Sequence, residues 1–260
     1  MSVIWSYRGF ILASVKREFQ LKYRNSLLGV IWTILNPLCM IFIYTVIFSQ
    51  VMKARLPGVE NTFAYSIYLC SGIITWFFFS ETLSRSISVF VDNASLIKKL
   101  TFPRICLPII VILGSVLNFS IMFALFTLFL CFTGNFPGWV YLATPIVLII
   151  QITFAMGLGM FLGVLNVFFR DVGQFFTLFL QIWFWLTPIV YSVTILPVWV
   201  QSIIKLNPMF SIVNAYHDIF VSHCLPSWLS LMPVIGLSLL CCLLAQRTFH
   251  KRNADMVDEL

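Results

Sequence analysis

Five long stretches of the chain carry no charge: no Asp, Glu, Lys or Arg falls in 25–52, 61–80, 105–169, 172–204 or 219–246. Such stretches read as membrane spans, because a helix needs about 20 apolar residues to cross the hydrocarbon core. The third is long enough for two spans. Its middle, Thr133-Gly134-Asn135-Phe136-Pro137-Gly138-Trp139, joins turn formers to interfacial aromatics and divides it. The pattern therefore predicts six spans, near 30–52, 64–88, 106–132, 141–168, 172–192 and 228–247.

The segments between the spans have patterns of their own. In 8–29, Ile11, Val15, Phe19, Tyr23 and Leu27 recur every fourth residue, and Lys16, Arg17, Gln20 and Arg24 lie largely elsewhere on the wheel. This predicts an amphipathic helix along the inner membrane surface, with Lys22 snorkelling from near the apolar stripe. Residues 92–104 are basic and suit a short helix ending before Pro103. Residues 188–227 are too apolar for a free loop, and Pro188, Pro197, Pro208 and Pro226 interrupt them too often for a span. Two short helices fit there, near 197–206 and 209–222, either dipping into the outer half of the bilayer or resting on its surface.

Composition agrees with a membrane class. Hydrophobic residues make up 60% of the chain and charged ones 10%, against about a quarter charged in soluble domains. Charge also sets the orientation. With the N-terminus inside, Arg8, Lys16, Arg17, Lys22, Arg24, Arg85, Lys98, Lys99, Arg104, Arg170, Arg247, Lys251 and Arg252 are cytoplasmic. Only Lys53, Arg55 and Lys205 are outside. This positive-inside bias puts both ends in the cytoplasm. It accounts for the net charge of +7 through anionic inner-leaflet lipid rather than nucleic acid. The first apolar run follows a basic stretch and has full span length, so a retained span is expected rather than a cleaved leader.

Signals of catalysis are sparse. The sequence holds no Gly-x-x-x-x-Gly-Lys-Ser/Thr phosphate loop, no His-Glu-x-x-His and no Gly-x-Ser-x-Gly. The seven cysteines lack metal-ligand spacing and read as small packing residues. His217-Asp218 and His223 are expected on the outer hairpin in surface or capping roles. Glu81 and Arg85 share a helix face near the cytoplasmic end and are expected to form a structural pair rather than a proton relay.

Several segments together resemble one family, the permease subunits of ABC exporters for bacterial surface polysaccharides. They are Lys16-Arg17-Glu18-Phe19-x-x-Lys22-Tyr23-Arg24-x-Ser26-x-Leu28-Gly29-x-x-Trp32 and Asn36-Pro37, then Leu96-Ile97-Lys98-Lys99-x-x-Phe102-Pro103-Arg104. Arg170-Asp171-Val172, Thr187-Pro188-Ile189-x-Tyr191 and Asn207-Pro208 complete the set. The resemblance implies a homodimeric pore with two copies of a separate cytoplasmic ATPase, which binds the ATP and Mg. No cofactor or metal is then expected on this chain, and no enzymatic activity of its own. It also implies that the N-terminal helix and the 92–104 loop meet the ATPase. Their basic residues Arg17, Lys22, Arg24, Lys98, Lys99 and Arg104 then face the ATPase or the diphosphate of a polyprenyl-linked glycan. O-antigen is the first cargo expected, capsule the second, and teichoic acid is a further member of the class.

The expected fold is thus a single all-α membrane domain. Residues 1–29 form the cytoplasmic amphipathic segment and 30–192 the first five transmembrane helices. Residues 193–227 form a re-entrant periplasmic hairpin, which the resemblance implies is a gate, 228–247 helix 6, and 248–260 a cytoplasmic tail. Because charged groups would trap a sliding glycan, an aromatic path is expected from Tyr44, Trp76, Phe79, Trp183, Trp185 and Tyr191. Trp183 and Trp185 lie about 200° apart on a helix, so one of them is a packing residue. The competing classes are a permease for drugs, haem or lipids, an ion-coupled transporter and a membrane acyltransferase. The N-terminal motif disfavours the first. The absence of a charge at mid-membrane in the third to fifth spans disfavours the second, and the lack of a placed base or nucleophile the third.

Overall fold

The computed structural model describes residues 5, 7–23, 31–47, 63–99, 103–252 and 255–259. Among them all regular structure is helical. Helix α1 (Arg8–Tyr23) is followed by α2 (Ile31–Tyr44), α3 (Ala64–Asp92), α4 (Ala94–Lys99) and α5 (Cys106–Phe132). A 3-10 turn, Gly138–Ala143, leads into α6 (Thr144–Phe168), and α7 (Asp171–Trp185) follows. Two short helices, α8 (Val198–Ile204) and α9 (Pro208–Phe220), precede α10 (Trp228–Arg252) and α11 (Asp255–Glu259).

Among the described residues, four helices are long and apolar enough to cross a membrane: α3, α5, α6 with its leading turn, and α10. The 29 residues of α3 rise about 43 Å, beyond the roughly 30 Å hydrocarbon core. Of the other two expected spans, the first is described only in part and the fifth is shorter as a helix than the pattern suggests. Helix α2 has 14 residues with Pro37 inside it, and the expected end of that span, 48–52, lies outside the described residues. Helix α7 has 15 residues and rises only about 22 Å.

The reason α7 stops lies in Thr187-Pro188. Proline disfavours helical backbone in the residue before it. The segment that follows is held by side chains of other elements. Tyr68 donates its hydroxyl to the carbonyls of Pro188 at 3.0 Å and Tyr191 at 2.9 Å, and Tyr65 donates to that of Val190. Non-helical backbone buried in a membrane protein needs such internal partners.

Helix α3 is the centre of the bundle, with α5, α6, α7 and α9 packed around it. Its contact with α6 is close because Gly159 and Gly163 face Ser86. A Cβ on Gly163 would sit 2.5 Å from the Ser86 carbonyl oxygen, and one on Gly159 would sit 2.6 Å from the Ser86 Cβ. Glycines four apart let helix backbones approach in this way.

Helix α1 buries Ile11 and Val15 against Cys106 and Ile110 of α5, so this part of its apolar stripe meets protein. The two short helices, α8 and α9, fall where the prolines place them. Helix α9 buries Met209, Ile212, Val213, Tyr216, Ile219 and Phe220 in the main core. His217 is a buried packing residue, which corrects the surface role expected for it. It stacks on the Tyr68 ring at 3.8 Å between centroids, and its Nε2 donates to the Tyr68 carbonyl at 3.0 Å.

Candidate functional site

Most positions of α3 are buried. The open or half-open ones in its C-terminal half include Phe77, Ser80, Glu81, Ser84 and Ser88, which lie on one stripe. Helix α7 runs beside this stripe and turns Gln174, Thr177 and Gln181 outward, three and four apart. Between the helices lies a cleft of about 680 Å³, lined by Trp76, Ser80, Glu81, Ser84, Thr177 and Gln181 among others, with Phe184 and Trp185 at its border. A second cavity of about 300 Å³ shares Ser84 and Thr177 with it and continues to Asn166, Arg170 and Gln174. The two form one groove, apolar and aromatic at one end and basic at the other.

Local bonds fix the lining. Ser80 donates to the Phe77 carbonyl at 3.1 Å and Thr177 to that of Gly173 at 2.8 Å. Asn166 donates to the Ile87 carbonyl at 3.0 Å and accepts the Gly173 N–H at 2.9 Å, pinning the start of α7 to α3 and α6. The serine and threonine hydroxyls keep accepting capacity, and the amides of Gln174 and Gln181 offer both donors and acceptors. Such a surface can exchange hydrogen bonds with a polyhydroxylated molecule without fixing it in one register.

The aromatics expected on the path divide into a buried cluster and more open positions. Trp76, Phe79 and Trp183 are 8%, 0% and 9% exposed. Their rings meet edge-on or tilted at 5.3–6.2 Å, so they pack behind the cleft, and Trp76 also reaches its lining. Trp185 is 64% exposed. Tyr191 donates to the Trp185 carbonyl at 2.7 Å, which folds it over the end of α7. Tyr44 is half-buried on α2.

Charge gathers at one junction beside the groove. Arg85 of α3 pairs with Glu81 at 3.4 Å and with Glu18 of α1. Asn118 of α5 donates to the same Glu81 oxygen, Oε1, at 2.7 Å. The pair read from the sequence therefore extends to three helices. Gly114 makes room for it, since a Cβ there would stand 3.2 Å from Arg85 Nη1. A further cavity of about 430 Å³ lies between α1 and the start of α4, with Arg17, Arg85, Asp92 and Leu96 in its lining. The two segments expected to meet an ATPase are thus neighbours, with Arg17 and Lys98 both exposed and Arg104 half-buried. Arg24 and the side chains of Lys22 and Lys99 lie outside the described residues.

The polar stripe was the feature that sequence reasoning missed. Its signal was present, as Ser80, Ser84 and Ser88 at four-residue spacing and Gln174, Thr177 and Gln181 at three and four within an apolar run.

Comparison with known proteins decides the family. The family described as ABC-2 type transporter matches residues 10–221. The chain belongs to this family. The matched stretch of the ABC-2 transporter fold runs from α1 to α9 and takes in both walls of the groove. The "O-antigen export system permease protein RfbA" of Myxococcus xanthus is 30% identical over 259 residues, 99% of this chain and 97% of that protein. A protein of the same name from Klebsiella pneumoniae is 30% identical over 214 residues, 82% of this chain and 80% of its own length. The "Polysialic acid transport protein KpsM" of Escherichia coli is 22% identical over 199 residues, 76% of each chain.

Proposed function

We propose that this chain is the channel-forming permease of an ABC exporter that moves a lipid-linked polysaccharide across the bacterial inner membrane. O-antigen is the first choice of cargo and capsule the second. One observation carries the reading: the open stripe of the buried central helix is polar. Hydroxyls, amides and a carboxylate facing lipid would be costly. The same stripe facing a second copy would line a path for sugars. The names of the relatives, O-antigen export and polysialic acid transport, point to the same class of cargo.

In this reading two copies close their grooves into one channel, and two copies of a separate ATPase bind ATP and Mg beneath it. The chain crosses the membrane six times with both ends in the cytoplasm. Helix α7 completes the fifth crossing together with the 186–192 segment. Helices α8 and α9 form the periplasmic gate. Arg170 at the inner end of the groove, with Arg17 and Lys98 on the neighbouring segments, meets the diphosphate or the ATPase. The aromatic wall of Trp76 and Trp183 keeps the closed path dry, and Trp185 and Tyr191 guide the chain at its mouth.

The test is genetic and chemical. Deleting the chain should abolish the surface glycan and leave undecorated lipid-linked glycan inside. The unchanged chain should restore export, whereas Ser84→Leu with Thr177→Leu should restore little of it while reaching the membrane at normal level. Normal surface glycan in the deletion strain would sink the proposal.

A further inference from the structure

Glu81 is the one charged side chain among the described residues lining the larger cleft. Its neighbours do not neutralise it. Two carboxylates, Glu81 and Glu18, share the single guanidinium of Arg85, and Asn118 contributes a neutral donor. Within these contacts two carboxylates face one guanidinium, with Arg17 the next cation, on the α1 side and away from the cleft. Both recorded bonds to Glu81 use Oε1. Among the described residues Oε2 has no hydrogen-bond partner, and the Glu81 side chain is 17% exposed. Glu81 lines the cleft on one side and a cavity of about 370 Å³ beside α1 on the other. Arg17 lines the adjoining cavity with Glu18 and Arg85.

From this we infer that the groove selects uncharged, hydroxyl-rich glycan repeats against acidic ones, with Glu81 as the specificity-determining residue. The inference rests on the export reading above. Neutral sugars meet hydroxyls and amides in the cleft and exchange hydrogen bonds with them. A repeat bearing a carboxylate must bring it past the Glu81 carboxylate once two copies have closed their grooves into one channel. Like charges repel more strongly there than in bulk water. Specificity built from a repulsive group needs no tight contact with the favoured cargo, which suits a chain that must keep sliding. Arg170 opposes this charge only at the far end of the groove, where the lipid diphosphate would enter before any sugar reaches Glu81.

The experiment uses the full exporter, this chain with its own ATPase, in cells supplied with either of two lipid-linked glycans. These match in length and linkage and differ in one sugar per repeat, glucose or glucuronic acid. The readout is the ratio of neutral to acidic export, which a general loss of throughput does not move. The unchanged protein should favour the neutral glycan by about tenfold or more, the size that a difference of one charge interaction of this kind produces. Glu81→Gln should bring the ratio close to one. Gln181→Lys, which adds a cation to the cleft and leaves Glu81, Arg85 and Asn118 in place, should narrow it as well. Equal export of both glycans by the unchanged protein overturns the inference, as does a ratio that neither substitution alters. Export of neither glycan by the unchanged protein overturns the export reading itself.

Discussion

Asn207 joins three parts of the molecule through one side chain. Its Oδ1 accepts from Trp183 Nε1 at 2.8 Å and from the Met209 N–H at 3.0 Å, and its Nδ2 donates to Thr187 Oγ1 at 2.9 Å and the Leu186 carbonyl at 3.3 Å. It caps α9 while satisfying the last turn of α7. Loss of a cap costs about 1 kcal/mol and each stranded buried donor about 1–3 kcal/mol. Asn207→Ala should therefore lower the melting temperature of the purified protein by several degrees. Trp185→Ala, at an exposed position, should leave that temperature nearly unchanged and reduce export. A variant of Asn207 as stable as the unchanged protein would remove the residue from this role. Asn-Pro was visible in the sequence as a turn and cap signal. Its partners were not, because Trp183 and Thr187 approach it only after α7 and α9 have packed.

At the scale of elements, the chain shows how short-range pattern and close packing divide the work. Helix boundaries at Pro188 and Pro208 follow from backbone sterics. The α3–α6 contact follows from Gly159-x-x-x-Gly163, a spacing legible in the sequence. Gly163→Val should push the helices apart, because its added atoms meet a backbone carbonyl that has no rotamer to change. Overpacking of this kind costs about 1–3 kcal/mol. The expected result is a lower melting temperature together with reduced export. Gly236, around which a Cβ meets nothing within 4 Å, serves as the control position. Equal stability of Gly163→Val and Gly236→Val would show that the contact is not close. The helical part of the fifth span was overestimated because hydropathy continues smoothly through Leu186-Thr187-Pro188-Ile189-Val190. Composition does not register that tyrosine hydroxyls from α3 take over the backbone bonds there.

For the whole molecule, the outward surface of α7 is informative. Beside its polar stripe, Phe175, Leu178, Ile182 and Trp185 are each 58–64% exposed. A lone copy would leave the groove open along its length. The proposed dimer brings the two grooves together with α7 near the axis. In a cysteine-free background, Leu178→Cys and Ile182→Cys should cross-link two copies in native membranes under mild oxidation. Leu229→Cys, on α10 at 83% exposure, should not. Cross-linking through α10 alone would place the channel elsewhere.

Periodicity and charge by themselves determined that this is a helical membrane protein. They also located the first helix, the two short helices between Pro197 and Phe220 and the Glu81–Arg85 pair. These are local properties: the period of apolar residues, the reach of one helical turn and the steric demands of proline. Tertiary structure alone decided that α9 is buried, that Glu18 and Asn118 join the ion pair, and that Trp183 packs while Trp185 is exposed. It also decided that six scattered serines, threonines and glutamines line one groove. A hydroxyl in an apolar run has the same sequence whether it bonds its own helix, meets lipid or faces a cavity. Which of these occurs depends on the neighbour that the fold brings to it.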